Sequence, residues 1–370
     1  MTIDSVAGGG TAERTIQVSR FLAELGVECT ILTLDIGVTE IERQRAGKAH
    51  IVILPCLIER YYVPTSFRHI LSELVCSTDI VQLMNHWTLL NALVFYYVRR
   101  FRKPYVVCPA GALPIFGRSK TIKSIYNRIV GKRLIRQANA CVAISPVEIS
   151  DIKTYGVSEG KIVIIPNGVD ADEFSYEDSQ TFRRKYGLPD APLILFMGRL
   201  HPIKGPDLLL EAFIRFINEK EFPHHLVFAG PDGGMLNKLQ ALSMRKDVAD
   251  RVHFLGYLGG KDKLHAYRAA EFLVIPSRQE AMSIVVLEAG VTGTPVLITN
   301  QCGFDEVAAA AGGMVVKASI EGLHKGLLSM TYDTEKLLMM GQNLEKFIRE
   351  YYLWDHAAKK YLELFSSIVH

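Results

Sequence analysis

Residues 276–295 read PSRQEAMSIVVLEAGVTGTP, and they lie between two apolar runs of strand length. EFLVIP leads into this stretch and PVLITN leads out of it. Between the runs, residues 283–293 predict a helix that begins at a serine and ends at a glycine. The residues that this helix is expected to bury are Ile284, Val285, Leu287 and Val291. The order strand, loop, helix, strand is typical of an open parallel α/β sheet.

Two glutamates in this stretch are separated by seven residues. Glu280 falls in the loop after the first strand and Glu288 on the following helix, at the sheet edge where ligands bind. The free amides at the start of the helix, on Ser283, Ile284 and Val285, suit a phosphate, and carboxylates suit sugar hydroxyls. A pair of glutamates at this spacing is more often a pair of solvated surface charges, but the complete strand–loop–helix–strand context favours a site.

The same stretch resembles the E-x7-E signature of the retaining GT-B glycosyltransferases of family 4, also called glycosyl transferases group 1. The resemblance implies that Glu280 lies beside the donor sugar and that Glu288 holds the nucleotide ribose. It also places the donor next to Met282 and the three amides that follow it. The family often has glycine and proline where this chain has Ala281 and Ser283, a variation that leaves both acids in place.

Length and composition bound the remaining possibilities. The chain has 370 residues, of which 49% are hydrophobic and 22% charged. This predicts a globular protein of two domains. The sequence contains no run of 18 uncharged apolar residues and no signal-peptide pattern, which predicts a cytoplasmic protein. Six cysteines without a C-x-x-C pair favour buried, reduced thiols.

The N-terminal region carries three consecutive glycines, Gly8 to Gly10, ahead of a predicted helix at residues 11–25 and a strand, CTILTL. A glycine loop before a helix suits phosphate, although a flexible tail fits the sequence nearly as well. The dinucleotide fingerprint is incomplete because Glu13 stands where its third glycine belongs, and Asp35 alone keeps that alternative open. Family 4 relatives have a G-G-x-E-R loop here. The resemblance therefore puts Gly9 and Gly10 at the donor and implies that the first strand is missing or stunted.

A second loop points to the acceptor side of such a site. The run YVVCPAGAL predicts a strand that leads into Ala110 and Gly111. Relatives often carry a basic residue at the position of Ala110, so in this chain that role is vacant or filled elsewhere. His86, which follows the strand at 80–83, is a candidate substitute. A single histidine in such a place is more often structural.

The charge distribution is uneven. Between Ile80 and Val147 there are eleven lysines and arginines and not one aspartate or glutamate. Residues 119–137 predict a basic helix that also carries isoleucines. The simplest interpretation is a solvated face, and the alternatives are an anionic membrane surface or an acidic acceptor such as a lipid diphosphate or a uronic acid chain. Nucleic acid is disfavoured because no recognition motif accompanies the charge.

The second half of the chain repeats the alternation of strand and helix after PNGVD at residues 166–170, which resembles the family's interdomain linker. Arg199 and Lys204 follow its first strand and are placed to hold a diphosphate. The pattern G-R-L-x-x-x-K-G again resembles family 4, in which both cations bind the donor phosphates. Gly230 lies in a second glycine turn toward the same ligand, and backbone atoms near Leu258 are implied to hold the base.

Together these observations predict two Rossmann-like, doubly wound parallel-sheet domains that face a central cleft, the GT-B fold. Residues 1–168 with the C-terminal helix 354–370 are predicted to bind the acceptor, and residues 169–353 the nucleotide sugar. Asp170 and Asp172 resemble a D-x-D metal site, but their place after P-N-G-V argues against one, so neither a metal nor another cofactor is expected.

The predicted function is retaining glycosyl transfer from a nucleotide-diphosphate sugar, most simply a UDP-sugar. The acceptor is a saccharide or a lipid-linked saccharide, as in polysaccharide or glycoconjugate synthesis. Glu280, Arg199 and Lys204 are the predicted catalytic residues. The alternatives are a nucleotide-sugar epimerase of the same fold and a non-catalytic scaffold on the membrane. A nicotinamide-dependent dehydrogenase is disfavoured by the incomplete glycine fingerprint.

Overall fold

A computed structural model of the chain describes residues 2–4, 8–59, 62–115, 120–174, 179–219, 222–246 and 248–370. The chain forms two compact units. Unit 1 comprises Met1–Gly168 and Trp354–His370, and unit 2 comprises Val169–Leu353. Which ligand each unit binds stays a prediction.

Unit 1 contains three small sheets among its described residues. Strands β1 and β2 pair in parallel, β3 and β4 form an antiparallel pair, and β5 to β8 form a four-stranded parallel sheet in sequence order. No strand precedes the first helix in the described segment 2–4, where Ile3 is buried. The strands are β1 Thr30–Leu34, β2 His50–Leu54, β3 Cys56–Ile58, β4 Val63–Pro64, β5 Val81–Met84, β6 Tyr105–Cys108, β7 Ala140–Ala143 and β8 Ile162–Ile164.

The helices of unit 1 cover the faces of these sheets. They are α1 Gly9–Glu24, α2 Glu40–Arg45, α3 Phe67–Ser77, α4 Leu89–Phe101, α5 Lys120–Tyr126, α6 Lys132–Arg136 and α7 Glu148–Thr154. Helix α4 begins at Thr88, whose hydroxyl accepts the Asn91 amide at 3.1 Å, as a capping residue does. One contiguous core includes Leu83, Val107 and Leu134, which are almost fully buried.

Two helix predictions in unit 1 need correction. The helix predicted at 11–25 begins earlier, so Gly9 and Gly10 lie in its first turn and not in a loop before it. The helix predicted at 119–137 is α5 and α6 joined by a π-helical turn at Asn127–Gly131. Its predicted first residue, Ser119, lies outside the described residues.

Unit 2 contains one six-stranded sheet in the order β11-β10-β9-β12-β13-β14, with all strands parallel. Parallel strands covered by helices on both faces read as continuous apolar runs, and all four residues of β12 are buried. The strands are β9 Leu193–Met197, β10 His225–Ala229, β11 Val252–Gly256, β12 Phe272–Ile275, β13 Val296–Thr299 and β14 Gly313–Val316.

The helices of unit 2 alternate with these strands. They are α8 Ser179–Lys185, α9 Pro206–Glu219, α10 Leu236–Arg245, α11 Gly260–Ala269, α12 Ile284–Val291, α13 Glu306–Ala309, α14 Ile320–Met330 and α15 Thr334–Tyr351. The last helix of the chain, α16 Trp354–Val369, packs on α1 in unit 1. The predicted two-domain α/β architecture with parallel sheets is therefore confirmed.

Helix α12 agrees with the helix predicted at residues 283–293, except for which of its residues are buried. Its N-cap is Ser283 and Gly293 follows its end with φ of +75°. Leu287 and Val291 are buried as predicted, but Ile284 and Val285 are only half-buried because they stand in the first turn, at the ligand edge of the sheet. Val286 is buried in their place.

The cysteines and the hydrophobicity of the helices give little information about function. All six cysteines are free, but only Cys108, Cys141 and Cys302 are buried, so the prediction of buried thiols is half wrong. In the part of the chain that the structure describes, no helix is long and apolar enough to cross a bilayer. Nor do the described residues contain a group of three or more histidine, cysteine, aspartate or glutamate side chains that could hold a metal ion.

Candidate functional site

The candidate site lies where the strand order of unit 2 reverses. Starting from β9, the chain first adds β10 and β11 on one side and then β12, β13 and β14 on the other. The loops that follow β9 and β12 therefore leave neighbouring strands in opposite directions and open a crevice at the carboxyl edge, the usual ligand position in such sheets. Arg199 and Lys204 follow β9, and Glu280 follows β12. The fold thus brings together residues that are 76 to 81 positions apart in sequence.

Glycines allow the loops at this edge to approach one another closely. Gly205 has φ of +68°, and a β-carbon there would lie 2.0 Å from the Pro276 carbonyl oxygen. Gly230 donates its amide to Gly256 O at 2.7 Å, and a β-carbon on it would lie 2.0 Å from Gly198 O. Any other residue at either position would push the loops apart, so these glycines set the width of the crevice.

Glu280 is the central carboxylate of the site. Its Oε1 lies 2.5 Å from Lys204 Nζ, and its Oε2 accepts the Ser277 hydroxyl at 2.9 Å. The Glu280 amide donates to Gln301 O at 2.8 Å, which fixes the loop on the neighbouring one. Only 13% of the Glu280 side chain is exposed, against 31% for Lys204. The ion pair is thus open to solvent on the lysine side, where an incoming anion can reach it.

Glu288 lies deeper, on α12, and is 6% exposed. Its Oε1 is 2.6 Å from Lys263 Nζ, and its Oε2 accepts the Tyr267 hydroxyl at 2.6 Å. Burial and then the neighbouring carboxylate raise the pKa of Tyr267 well above its usual value, so the phenol stays a donor. Sequence reasoning missed both partners. Their spacing of four residues on α11, which places them on one helix face, was the available signal.

The start of α12 presents backbone amides at the same edge. Ser283 is buried and its hydroxyl makes no capping hydrogen bond, and Met282 before it is also buried. The first amides of a helix have no partner within the helix. The Ile284 and Val285 side chains are half-buried beside them. This turn therefore offers donors and a positive helix end to an anion.

A bidentate ion pair connects the loop after β12 to the start of α9. Arg278 donates to both carboxylate oxygens of Asp207, each at 2.8 Å. The Arg278 amide also bonds to Ile203 O at 2.8 Å. The loop that carries Glu280 is thus held on the loop that carries Lys204. Sequence reasoning missed this pair, since neither residue belongs to a recognisable motif.

The remaining predicted donor residues of unit 2 have different settings. Arg199 is exposed in the loop after β9, and Leu258 is 3% exposed in the loop after β11. Asp170, of the D-x-D pair, is 5% exposed and accepts the Asp172 amide at 3.0 Å. That geometry is an ordinary aspartate turn.

The predicted residues of unit 1 form a separate group. Gly9 and Gly10 stand in the first turn of α1, where Gly9 has φ of +55°. Ala110 and Gly111 make the turn after β6 and both have positive φ, at 51° and 78°. Positive φ costs an alanine energy that glycine avoids. The turn is stabilised by a hydrogen bond that the Gly111 amide donates to the carboxylate of Glu148.

His86 is fully buried. Its Nε2 lies 2.8 Å from Asn127 Oδ1 in the π-helical turn, and its ring meets those of Trp87 and Tyr126 edge-on. Burial, opposed by the bond to Asn127, lowers the pKa of His86 to about 4. The imidazole is therefore neutral at pH 7 and enclosed, which favours a structural role over contact with an acceptor.

Arg14, which sequence reasoning passed over, is the most deeply buried charge in unit 1. It is 0% exposed and donates to Pro166 O, Asn167 Oδ1, Ile165 O and the Tyr361 hydroxyl at 2.7–2.9 Å. Its guanidinium also lies over the rings of Trp354 and Tyr361. One side chain thus joins α1, the last residues of unit 1 before unit 2, and α16.

Comparison with family models accounts for most of the chain. Residues 178–347 match the model described as glycosyl transferases group 1, and residues 8–173 match the glycosyltransferase family 4 model. The second match begins just before α1 and the first covers nearly all of unit 2. The stretch from Glu280 to Glu288 falls within the first match.

Among curated relatives, a protein named D-inositol 3-phosphate glycosyltransferase from Actinosynnema mirum is 33% identical over 208 residues, which cover 53% of this chain and 48% of the relative. A protein of the same name from Streptomyces scabiei is 31% identical over 256 residues, covering 66% of this chain and 57% of the relative. The chain spans about half the length of the curated relatives it matches.

Solved structures share the fold over the whole chain. HepE from Anabaena in complex with UDP-glucose has a TM-score of 0.81 at 18% identity and covers 98% of each chain. Sucrose-phosphate synthase from Thermosynechococcus elongatus has a TM-score of 0.77 at 20% identity, covering 97% of this chain and 93% of the other. At this identity the likeness establishes the fold alone, and it confirms the predicted GT-B architecture.

Proposed function

We propose that this chain, which belongs to glycosyltransferase family 4 (glycosyl transferases group 1) and has the GT-B fold, is a hexosyltransferase. In this proposal it transfers a hexose from a UDP-sugar to a saccharide or lipid-linked saccharide. The observation that carries the proposal is the ion pair of Lys204 with Glu280 at the switch point of the unit 2 sheet. It places one cation and one sugar-binding acid side by side, as a sugar diphosphate requires.

In this proposal, donor binding exchanges the hydrogen-bonding partners of Lys204 and Glu280. Lys204, the more exposed member of the pair, turns from Glu280 to the diphosphate, which carries more negative charge than a single carboxylate. Glu280 keeps the Ser277 hydrogen bond and gains a free oxygen for a hydroxyl of the donor sugar. The incoming diphosphate adds negative charge to the site, and Lys204, Arg199 and the amides at the start of α12 are proposed to share it. Glu280 keeps two hydrogen-bonding partners, the Ser277 hydroxyl and a hydroxyl of the donor, so the buried carboxylate is not left without a partner.

The leaving diphosphate gathers negative charge as the glycosidic bond breaks. Lys204, Arg199 and the amides at the start of α12 are the donors that meet this charge in the proposal, so no metal is assigned a role. Removing one such preorganised partner costs a factor on the order of 10² or more in rate. Glu288, held by Lys263 and Tyr267, is assigned to the ribose hydroxyls.

We propose the stereochemical course and the acceptor from the resemblance to the family. We assign retention, with the leaving group departing and the acceptor attacking on the same face of the sugar. The curated relatives carry inositol phosphate in their name, so a polyol phosphate is the acceptor to test beside saccharides. Polysaccharide or glycoconjugate synthesis is the setting that we propose for this activity.

The first test is a thermal-shift panel with UDP, GDP, ADP and UDP-glucose. A ligand at one hundred times its Kd stabilises the protein by about 2.7 kcal/mol, a shift that is readily seen. We expect UDP and UDP-glucose to stabilise the wild type, and Arg199→Ala to lose most of the effect. Lys336→Ala, an exposed cation on α15, is the control and keeps it. Absence of a shift with every nucleotide would overturn the proposal.

A further inference from the structure

Three isoleucines are exposed to solvent on the basic segment, defined as α5, the π-helical turn and α6 (Lys120 to Arg136). Ile122, Ile125 and Ile129 are 55%, 53% and 66% exposed. Single exposed apolar residues are ordinary on a protein surface. Three on one segment are different, because spacings of three and four residues place them on the same helix face as a stripe.

The opposite face of the basic segment is anchored in unit 1. Asn127 lies in the π-helical turn and bonds to His86 at 2.8 Å and to the Tyr155 hydroxyl at 2.9 Å. A β-carbon on Gly131 would lie 2.4 Å from Asn127 Oδ1, so the turn packs tightly there. Leu134 and Ile135 are fully buried. Because the opposite face of the segment is packed in unit 1, the isoleucine stripe faces away from the core.

Positively charged residues are concentrated toward the C-terminal end of the segment. Arg128, Lys132, Arg133 and Arg136 are exposed. Lys123 is half-buried over the Trp87 ring, at 5.4 Å from its centre. The sequence around the segment, from Ile80 to Val147, contains no acidic residue that could neutralise these cations. The surface therefore combines an apolar stripe with a local excess of basic residues.

We infer that the basic segment docks on an anionic lipid bilayer, lying in the plane of the membrane with its isoleucines in the interfacial region. An amphipathic helix with cations beside its apolar face binds in this way, through buried apolar area and attraction to acidic headgroups. The three isoleucines supply the first contribution, and the exposed cations, which are Lys120 and the four toward the end of the segment, supply the second.

Two other occupants fit the surface less well. A second copy of the chain packed by twofold symmetry would bring the same cluster of cations against itself, which opposes association. Nucleic acid would use the cations but gains nothing from the isoleucines, since bases stack on exposed aromatic faces and Tyr126, the aromatic residue of the segment, is half-buried. Only an anionic bilayer uses both features of the surface.

The test is vesicle flotation of the full chain. Vesicles of phosphatidylcholine alone are compared with vesicles that also contain phosphatidylglycerol, at low and at high salt. We expect the wild type to float only with the anionic vesicles and to be released by salt. In the variant Ile122→Gln/Ile125→Gln/Ile129→Gln, the partition coefficient falls about tenfold or more. In Arg128→Gln/Lys132→Gln it falls about 30-fold, since each cation contributes about a fivefold factor.

Matched controls lie on α15 of unit 2. Leu338 and Met339 are 65% and 62% exposed, and Lys336 and Lys346 are exposed cations. Leu338→Gln/Met339→Gln and Lys336→Gln/Lys346→Gln should float as the wild type does. Melting temperature and the UDP-induced shift verify that each variant is folded. If the isoleucine variant melts early, the cation variant and the salt dependence of the wild type decide the question.

Three results would overturn the inference. The first is equal flotation of the wild type and both basic-segment variants. The second is a wild type that dimerises through the isoleucines, by analytical ultracentrifugation, without binding vesicles. The third is binding to an oligonucleotide that depends on the cations and not on the isoleucines, again without vesicle binding. None of these bears on the UDP-sugar proposal, because nucleotide binding is measured separately in unit 2.

Discussion

The two glutamates of the candidate site in unit 2 and the buried charges Arg14 and Glu148 of unit 1 are held in opposite ways. In unit 2, Glu280 and Glu288 each lie against a lysine, Lys204 and Lys263 respectively. In unit 1, Arg14 is bonded to carbonyl, amide and phenol oxygens, all of them neutral groups. Glu148 in unit 1 accepts backbone amides of Gly111 and Ile144.

We interpret this difference as one between charges that are proposed to bind a ligand and charges that stabilise the fold. A lysine side chain can leave a glutamate for a stronger anion, so an ion pair at a crevice is exchangeable. Backbone carbonyls and amides are fixed in place, so a charge that they hold is fixed with them. We therefore expect substitutions of the unit 1 charges to lower stability, and those of the unit 2 charges to lower activity.

The largest effect is expected for Arg14→Met. The change removes the donor of four hydrogen bonds, of which those to Ile165, Asn167 and Tyr361 are buried, and should lower the free energy of unfolding by about 4 kcal/mol. Chemical unfolding measures the loss. Arg20→Met on the same helix is the control, because Arg20 is partly exposed and pairs with Glu24 at 3.1 Å. It should cost about 1 kcal/mol or less, and equal losses in the two variants would contradict the comparison.

A second effect is a pH dependence that originates in unit 1. The folded state keeps His86 neutral down to a pKa of about 4, whereas the unfolded chain takes up a proton near pH 6.5. The stability due to this depressed pKa is complete above pH 6.5 and is lost as pH falls toward 4. The loss amounts to as much as about 3 kcal/mol.

Urea unfolding at pH 7 and pH 4 tests this contribution. The loss of stability between the two values should be smaller in His86→Gln than in the wild type. His69→Gln is the control, since the His69 side chain is 90% exposed in the same unit. If His86→Gln and the wild type show the same pH dependence, the assignment to His86 is wrong.

The third effect concerns activity in unit 2. Glu280→Gln keeps the shape of the side chain but removes the charge that pairs with Lys204 and that we assign to the donor sugar. We expect the transfer rate from UDP-glucose to fall on the order of 10²-fold or more, while the Kd for UDP changes by about fivefold or less. Steady-state kinetics and calorimetry separate the two quantities. Glu335→Gln, an exposed acid on α15, should match the wild type. A Kd that rises as much as the rate falls would assign Glu280 to the nucleotide and not to the sugar.

The smallest effect is expected for Tyr267→Phe. It removes one of the two hydrogen-bonding partners of Glu288 and leaves Lys263 in place. The Kd for UDP should rise about tenfold, the size of one hydrogen bond to a charged group. The Kd for uridine should rise by the same factor, and inorganic diphosphate should be unaffected, because Glu288 is assigned to the ribose. Tyr186→Phe changes a half-buried tyrosine that directly follows α8 and bonds to Asp262, and it should leave all three unchanged.

The site could be predicted from sequence as far as its motifs reach along the chain. The run from Pro276 to Pro295 places Glu280 in a loop and Glu288 on a helix, and the structure keeps both there. The cations Arg199 and Lys204 were found because they stand between an apolar strand and a helix. The partners Lys263, Tyr267 and Ser277 were not found. A hydrogen bond between distant segments depends on strand order and helix packing, which no local pattern records.

Unit 1 shows the same limit more strongly. The fold buries His86 completely and leaves Ile122, Ile125 and Ile129 outside. A π-helical turn at Asn127–Gly131 decides this division by turning Asn127 inward. An extra residue in one turn leaves no trace in hydrophobic periodicity.

The sequence by itself determined the order of strands and helices and the two acids of the site, because apolar periodicity and glycine positions act locally on the backbone. Tertiary structure alone decided which lysine faces which glutamate, how Arg14 gathers three segments, and which face of the basic segment stays in water. Those outcomes depend on burial, and burial is a property of the whole packed unit.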